Sequence, residues 1–343
     1  MRKLIRICVS VLLTAAIGYI FYRTVPNWSQ AGRVMIQGRP VMVLAGLGFI
    51  SLHIVLRAAR WGVLLAHAKK RIAFRNLFSL TLVKYVINLI PPRAGEVAAS
   101  AVLARKEDLS VATVIAASVL ERILDSVTVL FFVGVYLVLF SHRFVPETDR
   151  GREIILSIRE YSMKGAIVIA GGFAAISLLL RGNRLHSLQT RKWSRWLFHF
   201  LDGFRALGSR KAILKAIALS LAIWLSITMQ IWCLVRAYLT NFPLAGSILL
   251  CAMAVVGISI PTPGGVGGYQ FFMSLTLVNF FARYLSPRDP YSQAAGISNG
   301  AYLVSMLPIV LVGLAFLAKE GLSFGRVARI AGTVTDVPSE EHR

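Results

Sequence analysis

Apolar stretches long enough to cross a bilayer recur along this chain, separated by polar ones. The first covers residues 7–22, behind Arg2, Lys3 and Arg6. No small-x-small cleavage site follows it, and more apolar runs come later, so it reads as an uncleaved first helix. A second run covers 41–56 and ends at Arg57 and Arg60. Runs at 111–140, 165–180, 212–235, 244–260 and 294–318 approach or exceed the roughly 20 residues that a span needs.

Two regions break this pattern. Residues 76–92 are apolar apart from Lys84 and stop at Pro91 and Pro92. The chain then passes Arg93, Ala94, Gly95 and Glu96 into the short run 97–104. Neither arm is a comfortable span, which predicts a re-entrant hairpin entering and leaving on one side. The run 244–260 breaks at Pro261, Thr262, Pro263, Gly264, Gly265, Val266, Gly267 and Gly268, and a helix resumes over 269–281. The predicted fold is all-α: a polytopic transmembrane helical bundle of about eight spans plus re-entrant or broken helices. Two repeated halves are one arrangement that broken segments in both parts of the chain suggest.

Composition sharpens this. Hydrophobic residues make up 56% and charged residues 15%, which excludes a soluble enzyme, a disordered chain and a fibrous repeat. The net charge of +23 sits in loops between spans, not in a separate basic domain, which argues against nucleic acid as a partner. The loop from Arg57 to Arg75 has six basic residues and no acid; residues 181–215 have nine basic residues and one acid, Asp202. Both read as cytoplasmic, and with them both termini. Within the second loop, Trp193, Trp196, Leu197, Phe200, Leu201 and Phe204 recur at helical spacing, predicting an amphipathic helix in the inner interface. Residues 1–320 form the expected membrane domain, and 321–343 a short cytoplasmic tail expected to be disordered. Cys8, Cys233 and Cys251 lie in apolar runs without pairing or metal-ligand spacing.

Four groups of residues could carry chemistry. Asn88 to Glu96 combines a helix break with Arg93 and Glu96, one turn after Lys84. Irregular backbone in a membrane survives when it is buried in protein or lines a wet cavity. Pro261, Gly264, Gly265, Gly267, Gly268 and Gln270 form the second group: glycines let backbone N–H groups approach an anion, and a helix opening there aims its positive end at it. The plainer alternative is a loop between two spans. Glu121, Arg122 and Asp125 are charges inside an apolar run; Glu121 and Asp125 share a helix face, and Arg122 reaches Asp125 at i+3. Structural pairing is the rival reading. His53, Arg57, Arg60 and Trp61 fall on one broad face at the end of the second run. The arginines can clamp a phosphate bidentately; snorkelling anchors are the blander reading. No metalloprotease, nucleophile-elbow or phosphate-loop signature occurs, which predicts no cofactor, no metal and no enzyme activity.

In their order and spacing, Arg57 to Trp61, Asn88 to Glu96, Glu121 to Asp125 and Pro261 to Gly268 resemble the lysylphosphatidylglycerol synthase transmembrane-region family, also called flippase-like or UPF0104 proteins. The resemblance covers roughly residues 1–320. It implies an integral membrane protein of lipid handling, such as the flippase half of the multiple peptide resistance factor; other members are associated with polyprenyl-phosphate sugars, hopanoids or other envelope lipids. Two departures stand out. Related sequences often carry an Arg soon after the Gly-Glu pair, and residues 97–100 have none. They also commonly carry a Glu after the glycine-rich turn, where this chain has Gln270, which cannot titrate. The soluble aminoacyl-transferase domain of the multiple peptide resistance factor has no counterpart here, so the resemblance implies no lysyl-lipid synthesis by this chain alone.

Together these readings predict a bacterial inner-membrane lipid transporter or flippase-like protein. Its partner is an anionic or polyprenyl-phosphate-linked headgroup in a cavity lined by the broken helices. The expected substrate-binding residues are Arg57, Arg60, Lys84, Asn88, Arg93, Glu96, Glu121, Arg122, Asp125 and the Pro261–Gln270 group. Two alternatives stay open: a membrane-embedded transferase on a lipid-linked substrate, and a non-transporting accessory subunit of an envelope-biosynthesis enzyme. The lipid, the direction and energy source of transport and the oligomeric state are not written in these patterns.

Overall fold

Four long apolar segments make the longest helices of the computed structural model. It describes residues 15–89, 94–140 and 210–319, together with residue 12 and isolated positions between 149 and 171. The expected amphipathic helix around Trp193, the tail beyond 319, the run 172–180 and Pro91, Pro92 and Arg93 lie outside the described residues. Among the described residues the regular structure is helical, as expected. A helical stretch at 15–24 is followed by α1 (Trp28–Ile36), α2 (Pro40–Leu65), α3 (Phe74–Ile87), α4 (Ala94–Glu107), α5 (Val111–Leu139), α6 (Arg210–Arg236), α7 (Leu244–Ser259), α8 (Gly268–Phe280) and α9 (Pro290–Lys319).

Helices α2, α5, α6 and α9 hold 26, 29, 27 and 30 residues and are apolar enough to cross a membrane. At 1.5 Å per residue each exceeds a hydrocarbon core of about 30 Å. Pro40 and Pro290 open two of them, where a missing N–H costs nothing. α2 departs from expectation. The apolar run ends at Leu56, but the helix continues through Arg57, Arg60 and Trp61 to Leu65. Arginine is a good helix former, so nothing local stops the helix there. α1 is also new: the stretch after Arg23 reads as loop, yet the Asn27 side chain accepts from the Gln30 N–H and starts a helix.

The chain divides into two compact units. The first draws on Met1–His53, Ser126–Ile167 and Ala222–Pro308, the second on Ile54–Asp125, Val168–Leu221 and Ile309–Arg343. These units are not an N-terminal and a C-terminal half.

In the first unit, polar side chains tie elements distant in sequence. The Tyr238 hydroxyl donates to the Met35 carbonyl at 2.9 Å, Gln230 donates to Ser305 at 2.8 Å, and Ser274 to Ser298 at 3.0 Å. α7 and α8 meet through glycine. A Cβ on Gly257 would lie 2.4 Å from the Gly268 carbonyl oxygen, and one on Gly268 would lie 2.2 Å from that of Gly257. The two backbones touch with no side chain between them, as small residues allow in membrane packing.

In the second unit, α3 and α4 form the expected hairpin. Each arm has 14 residues, about 21 Å of helix, too short to cross the hydrocarbon core. Their small and apolar faces bury Leu80, Val83, Val86, Ala98, Ala99, Ala101 and Leu103 against Trp61 and Leu65 of α2 and Val114, Ala117 and Leu120 of α5. Both ends of the hairpin are tied. At the tip, the Asn88 side chain accepts from the Gly95 N–H at 2.8 Å. Gly95 admits this approach because a Cβ there would lie 2.2 Å from the Lys84 carbonyl. At the mouth, Ala73 cannot cap α3, and Glu107 from the end of α4 does so instead. Its Oε1 accepts from the Ala73 N–H at 3.2 Å and from Asn76 at 2.7 Å, while its Oε2 accepts from Lys69 at 2.7 Å.

Two consequences are measurable. Gly257→Ala must push α7 and α8 apart; overpacking of this kind costs roughly 1–3 kcal/mol, read as a fall of several degrees in the thermal midpoint of the detergent-purified protein. Glu107 gives an acid limb. Burial alone would raise its pKa, but the hydrogen bonds from Lys69, Asn76 and Ala73 outweigh this and hold it below the ordinary 4.5. A carboxylate depressed in the folded state contributes stability above its unfolded value and loses it as pH falls toward the folded one. Wild-type stability therefore declines below about pH 4.5, and the decline is shallower in Glu107→Gln, checked by thermal unfolding across pH 3–6.

Candidate functional site

Five ionisable side chains from three helices converge in the second unit. α2 supplies Arg57 and Arg60, three residues apart on one face; α3 supplies Lys84; α5 supplies Glu121 and Asp125, four apart. Asp125 takes both arginines: Arg60 Nη1 lies 2.9 Å from Oδ1 and Arg57 Nη1 3.2 Å from Oδ2. Lys84 Nζ donates to Glu121 Oε2 at 3.1 Å, and Arg60 Nη2 stands 3.9 Å from Glu121 Oε1. Arg122 reaches Asp125 Oδ2 at 3.7 Å, the expected i+3 contact, with a side chain 54% exposed. Arg60 is 0% exposed, and Lys84, Glu121 and Asp125 are buried.

Burial at this level corrects the picture of Arg57 and Arg60 as the start of a cytoplasmic loop. They are interior side chains of a continuing helix, and the carboxylates one helix away are what makes their burial affordable. Two partners were invisible in sequence. The Lys84 ammonium sits 3.3 Å from the centroid of the Trp61 ring, a cation–π contact inside the core. Arg60 Nη1 also donates to Ser220 Oγ at 2.8 Å, and Ser220 in turn donates to the Ala216 carbonyl. A serine in an apolar run gives no sign of its partner 160 positions away. The (i, i+4) acidic pair, the arginines at the end of the second run and Lys84 in the hairpin arm were separate signals that the fold joins into one cluster.

The charges do not cancel. Arg57, Arg60, Lys84 and Arg122 face two carboxylates, Glu121 and Asp125. Arginine cannot shed its proton. Glu96 also acts on Lys84, so four cations face three carboxylates, and the excess cation is the half-exposed Arg122, whose charge is partly screened. Such a cluster attracts anions.

Glu96 takes a different place. Its Oε1 accepts from Asn88 at 3.4 Å, and its buried Oε2 has no hydrogen-bond partner. Beside it lies a cavity of about 160 Å³ lined by Glu96, Val97, Ser100, Ile115, Ser118, Val119 and Arg122. The hydroxyls of Ser100 and Ser118 bond each other at 3.0 Å. Arg93, expected to pair with Glu96 or to hold a headgroup, lies outside the described residues.

In the first unit the Pro261 break is real, and its glycines adopt the left-handed backbone that favours glycine: φ is 62° at Gly264, 76° at Gly265 and 84° at Gly267. The expected cradle of free N–H groups is largely used up. The Gly265 N–H goes to the Thr262 carbonyl, that of Val266 to Pro263, and that of Gly267 to Gln270 Oε1 at 2.8 Å. Gln270 thus caps α8, and Gly268 serves the contact with Gly257. The Tyr302 hydroxyl fixes the turn by donating to the Gly264 carbonyl at 2.8 Å. Among the described residues, no group of three or more His, Cys, Asp or Glu side chains is gathered for a metal ion.

Removing one partner of a buried ion cluster strands the others, at about 3–5 kcal/mol. Asp125→Asn should therefore unfold the detergent-purified protein at a markedly lower temperature. Arg122→Ala, which removes an exposed partner of the same carboxylate, should cost no more than about 1 kcal/mol.

None of the curated proteins compared with the chain matches it. Residues 4–313 match the family described as the lysylphosphatidylglycerol synthase TM region. A match over nine-tenths of the sequence joins the bilayer-length helices and the buried charge cluster to one conclusion: the chain belongs to the lysylphosphatidylglycerol synthase transmembrane-region family, as a multi-pass membrane protein of lipid-related function.

Proposed function

We propose that this chain is a flippase-like lipid transporter of the bacterial inner membrane, with both termini in the cytoplasm, that binds an anionic headgroup. The observation supporting this is the gathering of four cations, Arg57, Arg60, Lys84 and Arg122, against three carboxylates, Glu96, Glu121 and Asp125. A headgroup phosphate supplies the missing negative charge, while its acyl chains stay in lipid. Lys84 is the mobile contact, since its flexible stem can turn from Glu121 toward a ligand. The arginines, held from two sides, provide a fixed field. The carboxylates act as positioning groups in this reading, so the protein moves lipid and performs no bond-making step. The basic stretches at 69–75 and 181–215 support the orientation.

One observation favours a second reading. Glu96 Oε2 is a buried carboxylate oxygen without a donor, beside a cavity. A membrane-embedded transferase needs such a base. Its mark is a Glu96→Gln protein that retains bound lipid and loses product formation.

The test is mass spectrometry of lipids that co-purify with wild type and with Lys84→Gln. The transporter reading expects one enriched anionic lipid, reduced roughly tenfold in the variant, and movement of that lipid across reconstituted vesicles. A bulk-membrane lipid profile, the same in both proteins, overturns it and transfers the weight to an accessory role beside an envelope-biosynthesis enzyme.

A further inference from the structure

The anionic-headgroup reading leaves open which atoms hold the ligand. Four buried N–H donors in the cluster answer this. Arg57 Nε, Arg60 Nε, Arg60 Nη2 and Trp61 Nε1 have no hydrogen-bond acceptor, although Arg60 Nη2 has its long ion contact with Glu121. All four come from one turn of α2. Trp61 and Arg60 are both 0% exposed. A buried donor left without an acceptor costs roughly 1–3 kcal/mol, and native proteins rarely tolerate several together. The Asp125 and Glu121 carboxylates are already engaged by Arg57, Arg60 and Lys84.

We infer that Trp61 is a ligand-binding residue: its indole N–H, with the Nε–H groups of Arg57 and Arg60, donates to a phosphate-type oxyanion. This rests on the anionic-headgroup reading and specifies its chemistry. The donor number selects the ligand. A carboxylate has two oxygens; a phosphate offers three or four, arranged tetrahedrally, and suits several N–H groups from one helix turn better. The charge excess has the matching sign. Trp61 is also well placed to be rigid. Lys84 lies against its ring face, and Leu65, Leu77 and Leu80 belong to the same buried core. Its N–H is therefore directed by packing before any ligand arrives. No indole N–H is lost when tryptophan serves only as an apolar wall or a cation–π platform, so the residue has two separable functions: the ring face for Lys84 and the ring edge for the oxyanion.

The experiment uses the full chain in detergent and isothermal titration with four probes: dihexanoyl phosphatidic acid, inorganic phosphate, hexanoate and dihexanoyl phosphatidylcholine. Trp61→Phe keeps an aromatic face for Lys84 and removes the N–H. Arg57→Lys keeps the charge and removes the Nε–H. The expected result is tight phosphatidic acid binding by wild type, weaker by roughly tenfold in each variant, with thermal midpoints close to wild type. Inorganic phosphate binding with the same dependence on Trp61 supports the seat and names free phosphate as a source; dependence seen with phosphatidic acid alone assigns it to a lipid headgroup. Wild-type affinity retained in both variants overturns the inference, as does hexanoate binding equal to phosphatidic acid. Failure of the underlying reading looks different: phosphatidic acid then binds wild type no better than phosphatidylcholine does, and Lys84→Gln changes nothing.

Discussion

Two carboxylates on one face of α5 determine what the second unit can be. Glu121 and Asp125 stand in an apolar helix, where an ionised group is tolerated only if it is paired. Their position requires cations on the neighbouring helices at matching depth, and α2 and α3 provide them. Arg60 is the hinge of this arrangement, because it contacts both carboxylates and Ser220 together. Since Arg60 is fully buried, α2 cannot end where its apolar run ends. The helix must carry the charge inward, which it does by continuing to Leu65.

The hairpin follows from the same requirement. Lys84 must reach Glu121, so α3 has to enter beside α5 instead of crossing on its own. Alanine and serine along α4 let the hairpin pack closely enough for this, and the Ser100–Ser118 bond fixes its register against α5. Glu107 and Asn88 then tie the two ends with side chains, where the short helices leave backbone donors unsatisfied.

Much of this was legible in the sequence. Helix type follows from the apolar runs, and the hairpin from two short arms around Pro91 and Pro92. The acidic pair at 121 and 125 marks a site because charge in such a run demands a partner. What could not be read was the identity of partners. Arg57 and Arg60 look like topology anchors because an apolar run stops before them; only the distant carboxylates reverse that. Ser220 resembles an ordinary residue of a membrane helix until Arg60 is beside it, and Trp61, singled out with the arginines, gave no sign that Lys84 lies over its ring. Glu107 belongs to a charged stretch that looks solvated, yet it caps a helix begun 34 positions earlier. Gln270 shows the opposite error. Its place after a glycine run suggested ligand chemistry, and its side chain is spent on the chain's own turn.

The glycine contact between α7 and α8 has a mechanical meaning. Side chains at a helix interface act as a soft layer, because rotamers can change while backbones slide. At Gly257 and Gly268 that layer is missing, and carbonyl oxygens of each helix fill the space where the other's Cβ would be. A push on α7 is therefore delivered to α8 undamped, and the pair behaves as one lever bent at Pro261. Whatever motion this region performs, its compliance has to come from somewhere other than the seam between these two helices.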